Sequence, residues 1–243
     1  MTDFTVNGKS FPVYIKEPNS SVRGGLIVIH EVWGLTPHIK DVANRFAEKG
    51  YVVVAPELLE EIGLTPELSS SLQNDLFDPE RHNDAQPKLR ALMTPLATPV
   101  FGEQTRLRLK HCFDYLAGLD KVANRIGVVG FCFGGTYSFT LAVDEPRLKA
   151  AVAYYGHADF SIEQLRSIKC PVQAFYGEND SNLVNGLDDL SKRMSEAKVD
   201  FKAKVYPDCG HAFFNDTNRF SYNSEAAEDA WVLTNTFLSD NIS

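Results

Sequence analysis

No apolar run in this 243-residue chain is long enough to span a bilayer. The N-terminus, MTDFTVNGKSFPVYI, lacks the basic and apolar regions of a secretory signal, so none is expected. Cysteine is sparse. The four present (Cys112, Cys132, Cys170, Cys209) are widely spaced and form no C-x-x-C pair. That argues against a disulfide scaffold and against a zinc site, and it suits a reducing cytoplasm. No basic stripe is visible, and the formal net charge is −8. Nucleic acid is therefore not an expected partner, and an anionic substrate would need a local cationic pocket. Internal repeats are also missing, and the glycine-rich strand-to-helix turn at 130–135 is neither G-x-G-x-x-G nor followed by Gly-Lys-Ser/Thr. What remains is an ordinary globular profile, 44% hydrophobic and 23% charged. It is enough for one sizeable core, read as a single domain over residues 1–243.

The chain opens on an expected hairpin, residues 4–6 and 11–16 around Asn7-Gly8, a strong turn dipeptide. Leu26 to Ile29 is a continuous apolar run, as a strand buried on both faces should be. Thr36-Pro37 resembles an N-cap with proline at the first helical position. Ile39, Val42 and Phe46 follow at helical spacing, and Lys49-Gly50 closes the helix. Tyr51 to Ala55 is the next buried strand, stopped by Pro56, which completes a βαβ unit. Residues 57–102 hold five prolines (66, 79, 87, 95 and 99) and weak periodicity. They read as an excursion with one or two short helices, leaving from a strand end where it could line a pocket. Further helices are expected over 103–118, 185–197 and 224–238, with strands at 150–155, 172–176 and 201–206, the last alternating and so nearer an edge. Cys112 falls on the apolar side of its helix and reads as core.

The most informative stretch is Arg125 to Thr136, RIGVVGFCFGGT. A β-branched run leads into Gly130-Phe131-Cys132-Phe133-Gly134, a G-x-nucleophile-x-G turn with cysteine in the usual serine slot. The chain must reverse from strand to helix within a few residues, so side chains at Gly130 and Gly134 would collide. Cys132 would stand at a strand C-terminus and a helix N-terminus, where the helix dipole favours a thiolate and a developing oxyanion. A buried structural thiol is the alternative.

Three strands end in polar residues suited to one reaction: Cys132, Asp180 and His211. In an open α/β sheet ligands bind beyond the strands' carboxyl ends, and nucleophile, acid, base is the α/β-hydrolase order. His211 would serve as base, because imidazole titrates near neutral pH, and Asp180 would orient it. Glu178 and Asp208 are rivals for the acid, and His157 for the base. His30 reads as orienting its own loop through hydrogen bonds, and Cys209 as a bystander. Glu31 ends a buried strand at the same edge, where an unpaired carboxylate is costly. The backbone N–H groups of Val32 and Phe133 are placed to form an oxyanion hole.

His30-Glu31-Val32-Trp33-Gly34-Leu35, the elbow, Tyr176-Gly177-Glu178-Asn179-Asp180 and Gly210-His211-Ala212-Phe213 together resemble the dienelactone hydrolase family, in register from about residue 8 to the C-terminus. The resemblance implies an α/β-hydrolase fold, with a mostly parallel sheet and helices on both faces. It also implies hydrolysis of lactones or esters through Cys, His and Asp, with Glu31 contacting the resting thiol and helping to activate it. In one respect the chain departs from the family. Where the resemblance calls for a carboxylate-binding arginine, four residues after the histidine, Asn215 stands. Trp33, Arg81, Arg90 and Asn215 are the candidate substrate-binding residues.

The expectation is a cytoplasmic cysteine hydrolase of a small-molecule lactone or ester, working as a monomer or homodimer without metal or cofactor. The alternatives are a broad carboxylesterase or thioesterase on the same site, a non-catalytic thiol sensor, and a peptidase, which the cysteine disfavours.

Overall fold

The computed structural model describes residues 1–77 and 80–242. Asp78 and Pro79, inside the expected excursion, lie outside the described residues, as does Ser243. The opening hairpin forms as β1 (Thr2–Val6) and β2 (Lys9–Lys16), turning at Asn7 and Gly8, both at positive φ. The apolar runs become β3 (Gly24–Ile29), β4 (Tyr51–Pro56), β5 (Ile126–Phe131), β6 (Ala150–Tyr154) and β7 (Val172–Gly177). The alternating run forms β8 (Phe201–Tyr206), at the sheet edge as its pattern predicts. The order is β1-β2-β4-β3-β5-β6-β7-β8; β1, β2 and β4 pair antiparallel, and every pairing from β4 through β8 is parallel.

Crossover helices force this arrangement, because parallel neighbours need a connection long enough to return the chain to the same end. Helix α1 (Pro37–Glu48) links β3 to β4, with Pro37 in its first turn as expected. The excursion is more helical than the prolines suggested. It contains α2 (Pro66–Phe77), α3 (His82–Met93) and two 3-10 turns, 60–62 and 94–97. Helix α4 (Pro99–Ala117) starts four residues earlier than the expected 103, because Thr98 caps it by accepting the Phe101 N–H and Pro99 occupies its first turn. Pro66, Pro95 and Pro99 each stand at a helix start, where a missing N–H costs nothing, whereas Pro87 lies inside α3.

Helix α5 (Phe133–Asp144) follows β5, and a short α6 (Ile162–Leu165) follows β6. The helix expected over 185–197 forms as α8 (Leu187–Glu196), preceded by a one-turn α7 (Ser181–Val184); α9 (Ser224–Ile242) ends the chain. Helices α1 and α9 meet through Phe46 and Trp231, 4.5 Å between ring centroids, while α4 and α5 pack together on the other face. The central strands are therefore buried on both sides, with Leu26–Ile29 and Val52–Ala55 inaccessible to solvent. At roughly 1.5–3 kcal/mol for each large side chain removed from water, this layer dominates stability. Cys112 lies in it, fully buried on α4.

Candidate active site

The reversal between β5 and α5 is very tight. A Cβ on Gly130 would stand 1.9 Å from the Gly134 carbonyl oxygen, and one on Gly134 would stand 2.2 Å from that of Ile29. Between them Cys132 has φ 55° and ψ −112°, a conformation costly for a non-glycine residue. The strain persists because both flanks are tied down. Cys132 N–H donates to Tyr154 O (3.0 Å) and Gly134 N–H to His30 O (3.1 Å). The thiol is half-buried at the N-terminus of α5, and Phe133 is the first helical residue, where an N–H has no partner within the helix.

His211 and Asp180 lie in the loops after β8 and β7. His211 Nδ1 is 2.5 Å from Asp180 Oδ2, so this nitrogen carries the proton and donates it. Cys132 interacts with the same imidazole, whose Nε2 is left free by the Asp180 contact. Burial favours the neutral ring, but the hydrogen bonds to Asp180 and Cys132 and their charges outweigh it and raise the His211 pKa to about 10. Of the rivals, Glu178 accepts the Asp208 N–H (3.2 Å), and His157 is exposed, with its backbone N–H donating to Thr136 Oγ1 (3.0 Å). Cys209 is buried, and burial pushes its thiol up.

The loop after β3 is held rigidly. Leu58 N–H donates to His30 Nε2 (3.0 Å), so the ring proton sits on Nδ1 and reaches Glu31 O at 2.6 Å. Glu57, unremarked in the sequence, accepts the N–H groups of Leu35 (2.6 Å) and Leu59 (2.8 Å). Gly34 has φ +77° and packs where a Cβ would meet Glu57 Oε2 at 2.8 Å. Ser69 of α2 donates to the carbonyl of the half-buried Trp33 (2.9 Å), docking the excursion on this loop.

Glu31 is only 3% exposed. Tyr155 Oη donates to its Oε1 (3.1 Å), and Asn215 Nδ2 to its Oε2 (2.6 Å). Asn215 Oδ1 accepts both the N–H (3.1 Å) and the hydroxyl (2.7 Å) of Thr217. The amide expected to face a substrate is thus spent on Glu31 and its own loop. Arg81 pairs with Asp75 (2.7 Å) inside the excursion, and Arg90 is exposed on α3.

Tyr155 is the residue sequence reading passed over. It follows β6 at φ 40°, is buried, and packs its ring 5.0 Å from that of His211. Its phenol pKa is raised by burial first, then by the charges of Glu31 and Cys132. The signal was its place at a strand end before Gly156, where His157 drew attention instead.

A mostly parallel eight-stranded sheet, a strained elbow after β5 carrying Cys132, and Asp180 and His211 in the loops after β7 and β8 give the chain an α/β-hydrolase fold. Comparison with known proteins gives the family: the dienelactone hydrolase family pattern matches residues 11–241, and the chain belongs to that family. A provisionally named carboxymethylenebutenolidase of Saccharolobus solfataricus is 34% identical, covering 96% of this chain and 95% of its own. The crystal structure of a provisionally named dienelactone hydrolase from Klebsiella pneumoniae superposes with a TM-score of 0.78 at 27% identity, covering 96% and 94% of the two chains. A dienelactone hydrolase from Anabaena variabilis shares the fold (TM-score 0.70, 16% identity, 100% and 97% covered).

Proposed function

We propose that this protein hydrolyses a lactone or small enol ester with Cys132 as nucleophile. Its class, a hydrolase of ester bonds, comes with the family. The observation that supports the mechanism is the Cys132–His211–Asp180 relay around a strained elbow. His211 takes the thiol proton, and Asp180 stabilises the imidazolium. The sulfur attacks the ester carbonyl, and the oxyanion lies on the N–H groups of Val32 and Phe133. On collapse the C–O bond breaks and His211 returns its proton to the leaving oxygen. His211 then deprotonates a water that cleaves the thioester, releasing acid and thiol. A thiolate leaves more readily than an amide nitrogen, so esters suit this nucleophile and neutral amides do not. In a reducing cytoplasm the thiol stays available.

The test is Cys132→Ala measured against a panel of lactones and aryl esters. Loss of a nucleophile costs on the order of 10⁴–10⁶ in rate. Retention of more than about a tenth of the activity, far above that range, refutes the assignment.

A further inference from the structure

Beside the elbow a cleft of about 320 Å³ runs along the outer face of α5. Its floor is the i, i+3, i+4, i+7 series Phe133, Thr136, Tyr137 and Thr140, about two helical turns. Leu96 stands on the excursion side and Phe160, from the loop after β6, on the other. The near end is Phe133, the residue next to Cys132.

The polar groups lining this cleft already have partners in the protein. Arg106 is held in a two-pronged pair by Asp144, with Nε on Oδ2 at 2.6 Å. Tyr137 interacts with Thr105, and Thr140 donates to Thr136 O (3.1 Å). Thr136 Oγ1 accepts the His157 N–H at 3.0 Å. Asp144 neutralises Arg106, the charged side chain lining the cleft, and the surface left to an occupant is Leu96, Phe133, Tyr137 and Phe160. Such a surface selects a neutral apolar group, since a carboxylate entering it would lose water and meet only a guanidinium already paired.

Geometry also says which part of a substrate enters. His211 comes from the loop after β8, past β6 and β7 from Cys132, and the leaving oxygen must face it to take its proton. The cleft lies over α5, beside α4. Resting on the cysteine-hydrolase reading above, we infer that this cleft binds the acyl side of the substrate and selects neutral aliphatic or aromatic acyl groups.

The experiment measures kcat/KM on p-nitrophenyl acetate, butyrate and hexanoate, which share one leaving group, in wild type, Leu96→Trp and Phe160→Ala. Full burial of a methylene corresponds to a factor of about four, and an open cleft to roughly half that free energy, a factor of about two. Wild type should then favour hexanoate over acetate by about 10–20-fold. Leu96→Trp fills the cleft and Phe160→Ala removes a wall, so both should bring the ratio to within about twofold of one, with thermal unfolding confirming that each is folded. A parallel series of acetyl esters of longer alcohols should show no such response. A wild-type ratio near one, a ratio unmoved in both folded variants, or a response confined to the alcohol series overturns the acyl assignment alone. Absence of turnover on every ester overturns the cysteine-hydrolase reading itself and the acyl assignment with it.

Discussion

Tyr155→Phe removes one oxygen and leaves the ring against His211, Phe131 and Phe213. What is lost is one of the two side-chain donors on Glu31, a carboxylate almost fully buried. Hydrogen bonds to a charged group contribute about 1.5–3 kcal/mol, against about 0.5–1.5 kcal/mol for a neutral pair. The single variant should therefore lose about 1.5–3 kcal/mol, which for a chain of this size lowers Tm by about 3–12 °C. In a Glu31→Gln background the same change should cost only about 0.5–1.5 kcal/mol, because the acceptor is neutral. The assay is chemical and thermal unfolding of the four members of this double-mutant cycle. Equal losses in both backgrounds, or a loss below about 0.5 kcal/mol in the wild-type background, would refute the claim that Tyr155 holds a buried charge. A fall in kcat for Tyr155→Phe beyond that of Glu31→Gln would place a second effect of the hydroxyl on His211.

Asp180→Asn should shift the His211 ring titration, followed by NMR, down from about 10 toward its ordinary value, because a main raising contact is gone; no movement sinks the Asp180 assignment. Since that folded pKa lies above the unfolded one, the His211 contribution to stability is complete below about pH 6.5 and lost as pH rises toward 10. Glu145 shows the opposite sign. Its hydrogen bonds from Arg147, against the opposing effect of burial, bring it down to about 2. Its contribution is therefore present above about pH 4.5 and lost as pH falls toward 2, and Glu145→Gln should flatten acid unfolding in that window. With Asn215 committed to Glu31 and Thr217, a neutral enol lactone should be hydrolysed at least as well as its carboxylate-bearing counterpart. A clear preference for the anion that weakens with salt would show that a cation is supplied from elsewhere.

Much of this architecture was legible because buried parallel strands must be written as short apolar runs, and turns as glycine and proline. Residues 26–29, 51–55 and 126–129 needed no further context. Cys132, Asp180 and His211 were visible for a related reason: each lies in the turn or loop that follows the C-terminal end of a strand, the edge where the sheet's polar chemistry collects. The excursion was obscured by its prolines, which have one meaning inside a helix and another at its start. The Glu31–Asn215 bond joins residues 184 apart in the chain, and nothing local to Asn215 announces it. Tyr155 looked like ordinary strand core, because only the tertiary structure turns its hydroxyl onto a carboxylate.

The glycines around the elbow interlock backbone to backbone, Gly130 on Gly134 and Gly135 on Gly156, at distances that leave no room for a methyl group. By contrast, among the described contacts, α2 reaches the neighbouring loop through the side chain of Ser69, and α2 and α3 bury only a few apolar residues such as Leu72 and Ala85. The molecule thus carries two very different tolerances to change a short distance apart. A library that varies the excursion should yield many folded proteins with altered substrate ranges, while one aimed at residues 130–135 should yield almost none. New specificities in this chain should therefore arise in the helices above the sheet edge, around an elbow that stays the same.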